Sequence, residues 1–189
     1  PTILRRQRQM CIRDSFSYLI SVVKTYAVDI TADRTISSSS DGDQYNIKTN
    51  NDIDVIVTNN STLERNQKIF NVSASSLTGS SITIHLGSSV IAETNSIFSN
   101  GAELTITNTG TIEATNSKAI NVSNSDGVSI TNNNNGVIKS NNNTILGDAG
   151  TGADNVTIDN SGEIYTTATG TESSCLLYTS DAADEGWCV

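Results

Sequence analysis

Residues 104–112 read Leu-Thr-Ile-Thr-Asn-Thr-Gly-Thr-Ile, with apolar residues in alternation followed by an Asn and a Gly. The same order returns at 156–164 as Val-Thr-Ile-Asp-Asn-Ser-Gly-Glu-Ile, and at 128–138 with extra Asn residues before the Gly. Side chains two residues apart lie on one face of a β-strand, and those between them point the other way. The pattern therefore predicts a short strand with one buried face, followed by a corner, and it predicts this unit repeatedly.

Weaker copies of the phrase begin at Val55 and Ile82, and the weakest begins at Val28. The six copies start 22 to 28 residues apart. Each contributes about five inward apolar side chains, too few to form a core alone, so the copies must stack. Stacked strands lie about 4.8 Å apart, which predicts a rod roughly 25 to 30 Å long. The predicted core consists of Val55, Val57, Ile82, Ile84, Leu104, Ile106, Ile112, Val128, Ile130, Ile138, Val156, Ile158 and Ile164.

Asn and Gly follow the strands at recurrent places and are predicted to form the corners. The predicted corner residues are Asn59, Asn108, Gly110, Asn132, Gly136, Asn160 and Gly162. We expect each Asn to take the left-handed backbone of a bend and to bond the Asn side chains above and below it. We expect each Gly to permit a positive φ angle, which a β-branched residue resists.

The composition also favours a β fold. Of the 189 residues, 35% are hydrophobic and 16% charged, and Asn, Ser, Thr and Gly, which are poor helix-interior residues, make up much of the remainder. A disordered polar linker and an ordinary β-sandwich are the alternatives. A disordered chain would not keep the alternation through six copies, and a sandwich would not need Asn and Gly at a fixed offset. A stacked solenoid is therefore the favoured interpretation.

The two ends of the chain are related to each other through DNA. Residues 5–15 read Arg-Arg-Gln-Arg-Gln-Met-Cys-Ile-Arg-Asp-Ser, and a DNA sequence that encodes them has a reverse complement that encodes Cys175 to Asp184. That DNA is similar to the adapter of transposase-based sequencing libraries. We therefore interpret residues 1–15 and 175–189 as translated adapter and exclude them from the fold prediction. Every Cys of the chain lies in these segments, so the sequence predicts no disulfide or thiolate site.

The remaining chain divides into three parts. Residues 28–168 are the predicted solenoid, and residues 169–174 are its continuation. Residues 16–27 are either the tail of a signal peptide cut after Ala27 or a cap over the open edge of the first turn. Small residues at the last and third-last positions favour the signal peptide, whereas Lys24 fits it poorly. The sequence leaves both interpretations open.

The Ile-Thr-Asn-x-Gly-x-Ile phrase, repeated in a chain rich in Asn, Ser and Thr, resembles the β-helix of bacterial autotransporter passenger domains and related surface adhesins. The resemblance covers Val28 to about Ala168. It implies an all-β, right-handed parallel β-helix of about six turns, one for each copy. It also implies export through the periplasm and outer membrane, and a place at the cell surface or outside the cell. The C-terminal outer-membrane barrel that such proteins carry would show alternating strands of about ten residues, and we expect it in a part of the intact protein that this sequence lacks.

Charge and hydropathy exclude several kinds of partner. The chain has 11 Lys and Arg against 20 Asp and Glu, a net charge of -9. Without a basic stripe in the solenoid, nucleic acid is not an expected partner. No stretch reaches the roughly 18 apolar residues of a membrane span, so we expect no direct membrane insertion. The expected partner is an unidentified surface ligand, either a protein or a glycan.

The sequence predicts a structural or adhesive rod with no catalytic, cofactor-binding or metal-binding residue. His85, the single His, lies at an outward position and is interpreted as a surface residue. Two alternatives are kept. A polysaccharide lyase of the β-helix kind would need clustered carboxylates or a base along one outward row. An ice-binding solenoid would need Thr-x-Thr in register on consecutive turns, and Thr105 with Thr107 is the complete pair in the phrase.

Overall fold

The computed structural model describes residues 26–48, 51–58, 60–73, 77–101, 103–147 and 155–168. Asn59, residues 16–25, residues 169–174 and both segments interpreted as adapter lie outside these ranges. Within them the chain is all-β, with no helix. The strands are β1 (Ala27–Ile30), β2 (Arg34–Ile36), β3 (Ser40–Asp41), β4 (Gln44–Ile47), β5 (Asp54–Val57), β6 (Thr62–Arg65), β7 (Phe70–Val72), β8 (Ser80–Ile84), β9 (Ser89–Ala92), β10 (Ile97–Asn100), β11 (Leu104–Asn108), β12 (Thr111–Ala114), β13 (Ile120–Asn124), β14 (Ser129–Asn132), β15 (Val137–Ser140), β16 (Ile145–Leu146), β17 (Thr157–Asn160) and β18 (Glu163–Thr166).

The strands form three parallel sheets of six strands each. Sheet A has the order β1-β4-β7-β10-β13-β16, sheet B the order β2-β5-β8-β11-β14-β17, and sheet C the order β3-β6-β9-β12-β15-β18. Three consecutive strands make one rung, after which the chain returns to sheet A one rung further along. The fold is therefore a parallel β-solenoid, and this prediction is confirmed. Its six rungs wind through about five turns, close to the six predicted.

Equivalent aliphatic side chains of neighbouring rungs lie directly over one another in the core. In sheet B, Ile82 pairs with Ile106, Ile106 with Ile130, and Ile130 with Ile158. The predicted core residues are all buried except Ile158 and Ile164, which are partly buried in the last described rung. Burying an aliphatic side chain of this size contributes about 1.5–3 kcal/mol. The column can supply this only because each rung covers the next.

The early copies pair two residues away from the alignment that the sequence indicates. That alignment places Val55 and Ile82 over Leu104, but Val55 pairs with Ile82, which pairs with Ile106. Val57 consequently lies in the column of Asn108. A shift of two residues keeps every side chain on the same face, so alternation alone cannot detect it.

The first copy is also misplaced by the sequence pattern. Val28 lies in β1, which belongs to sheet A and pairs with β4 through Val28 and Tyr45. Sheet B instead begins with β2, whose Ile36 pairs with Val57. Alternation at residues 28–30 correctly indicates a strand, but it carries no information on which of the three sheets that strand joins. Ala27 is part of β1, and the backbone N–H of Gln44 donates to the carbonyl of Tyr26 at 2.8 Å.

Candidate functional site

An interior ladder of Asn side chains holds the corner between sheets B and C. Asn108 Nδ2 donates to Asn132 Oδ1 at 2.8 Å, and Asn132 Nδ2 donates to Asn160 Oδ1 at 2.8 Å. Asn108 and Asn132 are fully buried, whereas Asn160, in the last described rung, is exposed. The amides of Asn108 and Asn132 also donate to backbone carbonyls of the corner, to Gly110 and Gly136 respectively, each at 3.2 Å. The ladder therefore gives the corner carbonyls of Gly110 and Gly136 a second hydrogen bond, in addition to the one that each accepts from a backbone N–H of the next rung.

The expectation about corner backbone is wrong for these residues. None of Asn108, Asn132 and Asn160 has a positive φ angle, because each ends a strand with its side chain pointing inward. The corner glycines Gly110, Gly136 and Gly162 likewise have no positive φ angle.

Close packing between rungs is what requires glycine at these corners. A Cβ on Gly136 would lie 2.2 Å from Asn132 Oδ1 and 2.7 Å from the carbonyl oxygen of Asn108. A Cβ on Gly110 would lie 2.3 Å from the carbonyl oxygen of Ser88, and one on Gly162 would lie 2.3 Å from that of Gly136. Only a residue without a side chain lets successive corners approach this closely.

Positive φ angles occur in turns that the sequence phrase does not include. Asp52, Asn60 and Asn155 have φ angles of 55°, 56° and 61°. Asn155 and Gly127, whose φ is 69°, stand at the same place, two residues before the paired Thr157 and Ser129. Asp, Asn and Gly tolerate left-handed backbone best, which explains their use in these turns.

The outward side of sheet B carries a regular array of hydroxyl groups, which we call the hydroxyl face. It consists of Ser81, Thr83, Thr105, Thr107, Ser129 and Thr131. Thr105 pairs with Ser81 and Ser129, and Thr107 pairs with Thr83 and Thr131, so the residues form two columns. Neighbouring residues lie about 4.8 Å apart across the strands and about 6.6 Å apart along them.

Charged groups border the hydroxyl face rather than interrupt it. Asp54 precedes one column, where its Oδ1 accepts a hydrogen bond of 2.6 Å from the hydroxyl of Ser81. Asp159 follows the other column, paired with Thr131. His85 lies beside the face, exposed, with its Nδ1 at 3.2 Å from the hydroxyl of Thr58, as expected for a surface residue. The face itself is a neutral hydrogen-bonding surface.

Sheet C carries charge on its outward side. Lys139 Nζ lies 2.9 Å from Glu113 Oε2, and the two residues pair in adjacent strands. The hydrogen bond from Lys139 to the Glu113 carboxylate raises the pKa of Lys139. The sequence analysis missed this pair, although each residue follows a predicted core isoleucine by one position, and that offset could have revealed it.

A cleft of about 440 Å³ lies beside this sheet and is called the sheet C cleft. It is lined by Glu64, Arg65, Asn66, Ile91, Ala92, Glu93, Thr115 and Asn116. Asn116 Nδ2 donates to Glu93 Oε1 at 2.9 Å across its wall. The repeated phrase does not reveal the cleft, because the lining residues lie at the C-terminal ends of strands of sheet C and in the turns that follow them.

Arg65 is one of the residues that line the sheet C cleft. Its Nη1 donates to Gln44 Oε1 at 2.8 Å and to the carbonyl of Lys68 at 3.2 Å. Its Nε–H is buried and has no partner within the described ranges. Burial lowers the pKa of Arg65, and the nearby Asp43 opposes that effect. The guanidinium is thus held mainly by neutral groups on the sheet A side.

The described residues contain neither a metal-binding cluster nor a membrane-spanning helix. No group of three or more His, Cys, Asp or Glu side chains in those ranges is placed to hold a metal ion. In the same ranges, no helix is long and apolar enough to cross a membrane.

Comparison with protein-family models, with curated proteins and with solved structures finds no match. A proposal about function therefore rests on the fold and on the surfaces of the chain itself.

Proposed function

We propose that this chain forms part of an exported rod of the autotransporter-passenger kind, displayed at the cell surface or released from it. The rod acts as a structural and adhesive element without catalytic activity. Support comes from the parallel β-solenoid and from the Asn-x-Gly corner phrase that resembles such passengers. The intact protein would carry the outer-membrane barrel that exports it.

The observation that carries the adhesive part of the proposal is the hydroxyl face. Its two columns keep one register through three rungs and present uncharged donors and acceptors over an extended surface. Such a surface suits hydrogen bonding to a neutral protein surface or glycan. The net charge of -9 opposes direct contact with anionic membranes or nucleic acid. The expected partner is therefore a ligand on another cell or on a host surface.

The test places the whole chain ahead of an autotransporter barrel in a bacterium that lacks adhesins. We expect the chain to reach the surface, as shown by antibody binding to intact cells, and to increase adherence to cultured cells or glycan-coated plates. Replacing Thr107 and Thr131 by Lys should reduce that adherence roughly tenfold, equivalent to about 1.4 kcal/mol.

The matched control replaces Ser89 and Thr111, outward residues of sheet C, by Lys. The control should adhere like the unmodified chain. Failure of the chain to reach the surface, or display without any gain in adherence, contradicts the proposal.

Ice binding is a second candidate function, favoured by one observation. Ser81 with Thr83, Thr105 with Thr107, and Ser129 with Thr131 are hydroxyl pairs in register on three consecutive rungs. A regular, neutral array of this kind can order water on its surface. The measurement is thermal hysteresis of the purified chain, which the paired Lys substitutions at Thr107 and Thr131 should abolish. A solution without thermal hysteresis eliminates this candidate and leaves the adhesive proposal intact.

A further inference from the structure

We propose that the sheet C cleft binds a short neutral or amino saccharide. This inference rests on the proposed adhesive function and specifies a ligand class for it, at a place separate from the hydroxyl face. The cleft spans β6, β9 and the turn after β12, so it exists only when three rungs are stacked. A single repeat could not form it.

Size and lining suit a small polar ligand. The cleft volume of about 440 Å³ lies within the range of roughly 300–1,000 Å³ typical of small-molecule sites. Ile91, partly exposed, offers an apolar patch, and Ala92 forms part of the floor. The other lining residues carry carboxylate, amide, hydroxyl or guanidinium groups. A sugar ring has the matching combination of apolar C–H groups and surrounding hydroxyls.

Glu93 and Asn116 are two exposed side chains on the cleft wall, joined by a hydrogen bond of 2.9 Å. A carboxylate accepts several hydrogen bonds, so Glu93 retains acceptor capacity after bonding Asn116, and the Asn116 amide retains a donor and an acceptor. Adjacent hydroxyls of a sugar can donate to the carboxylate and accept from the amide.

The charge of the cleft selects among saccharides. Glu64 and Glu93 contribute two carboxylates, against one guanidinium from Arg65. That guanidinium is bonded to Gln44 and to the carbonyl of Lys68, on the side of sheet A. A net negative cleft repels uronic and sialic acids and attracts an amino group. The ligand class is therefore neutral and amino sugars.

The experiment measures binding of glucose, glucosamine, N-acetylglucosamine and glucuronic acid to the full chain by ligand-observed NMR and calorimetry. We expect binding of the first three sugars and none of glucuronic acid. Glu93→Gln and Asn116→Ala should each weaken binding roughly tenfold, with glucosamine most affected by Glu93→Gln. The control Glu163→Gln lies on β18 of the same sheet, outside the cleft lining, and should bind normally. Far-ultraviolet circular dichroism checks that each variant keeps its strand content.

Three outcomes overturn the inference: no sugar binds, glucuronic acid binds best, or the cleft variants bind as tightly as the control. None of them tests the hydroxyl face or surface display. If the displayed chain still adheres, the proposed function survives without the cleft. If the cleft variants weaken sugar binding as expected but the chain is not displayed at the surface, the sugar-binding proposal stands and the proposed function does not.

Discussion

At the residue scale, Asn108 and Asn132 stand in a column that Val57 and Ile84 fill in earlier rungs. An amide in a fully buried position is tolerated only when its hydrogen bonds are made. Asn132 meets this condition, since its Oδ1 accepts from Asn108 and its Nδ2 donates to Asn160, Gly136 and Glu163. The ladder therefore replaces aliphatic packing where the corner exposes carbonyls.

Asn132→Ala should destabilise the solenoid by about 1–3 kcal/mol, because it breaks the ladder to Asn108 and to Asn160 and removes the buried amide's hydrogen bonds to corner carbonyls. The measurement is the midpoint of urea unfolding followed by circular dichroism. Asn133→Ala is the control, since that neighbouring side chain is only half-buried, and we expect its effect within about 0.5 kcal/mol. Equal midpoints for the two variants would show that the ladder contributes nothing to stability.

Two glycines separate backbone conformation from close packing. Gly127 has a φ of 69°, and an added Cβ would meet only the side chain of Glu103, at 3.1 Å. Gly136 has no positive φ, but an added Cβ would lie 2.7 Å from a backbone oxygen. Gly127→Asn should therefore cost less than about 1 kcal/mol, since Asn155 occupies the same place. Gly136→Asn should cost about 3 kcal/mol through overpacking.

Thermal unfolding of both Asn variants checks this order. The reverse order, with Gly127→Asn the more damaging, would restore the explanation from positive φ that the sequence suggested for the corner glycines.

At the element scale, the sequence predicts where the strands lie better than it predicts how neighbouring strands pair. Alternation correctly locates β11, β14 and β17, because identical phrases align without ambiguity. Alternation gives β5 and β8 a register relative to β11 that is two residues away from the observed one, since a two-residue shift preserves the buried face. The sheet C cleft was beyond prediction for another reason. Its lining residues lie at the ends of β6 and β9 and in the turns after β6, β9 and β12, all outside the repeated phrase.

The Glu113–Lys139 pair gives sheet C a pH-dependent contribution. The hydrogen bond to Glu113 raises the pKa of Lys139 above its ordinary value of 10.5. The pair therefore makes its full contribution to the stability of the folded state at pH values below 10.5, the ordinary pKa. That contribution is lost as the pH rises through the folded-state pKa of Lys139. Because the pair is partly exposed, we expect Lys139→Met to cost less than about 1 kcal/mol at neutral pH.

The measurement is urea unfolding of Lys139→Met and of the unmodified chain at about pH 8 and about pH 11.5, which bracket the Lys titration. The difference between them should disappear at the higher pH. Glu113→Gln is the matching control and should remove the same contribution. A difference that persists at high pH would mean that Lys139 stabilises through its aliphatic stem instead.

At the scale of the whole molecule, a solenoid must prevent other chains from adding to its open strands. Arg34 occupies a position of β2 that pairs with Val55, in the column where later rungs place isoleucine. The side chain is exposed, and its guanidinium lies 5.7 Å from the centre of the Tyr45 ring. An apolar residue there would continue the column to the outermost described strand of sheet B. A charged group in an inward register instead makes stacking of a second copy on this rung unfavourable, because it would bury an unpaired charge.

Arg34→Val should therefore make the chain associate through its first rung. At a concentration where the unmodified chain elutes as its smallest species, we expect light scattering during size exclusion to give a larger molar mass for the variant. Circular dichroism of the variant should still be dominated by strand. Lys48→Val is the control, since that exposed side chain forms an ion pair of 3.3 Å with Asp29 outside the core. If both variants associate equally, added surface hydrophobicity is sufficient to explain the effect. If neither associates, the charge at Arg34 does not guard the edge, and the solenoid must be protected from stacking in another way.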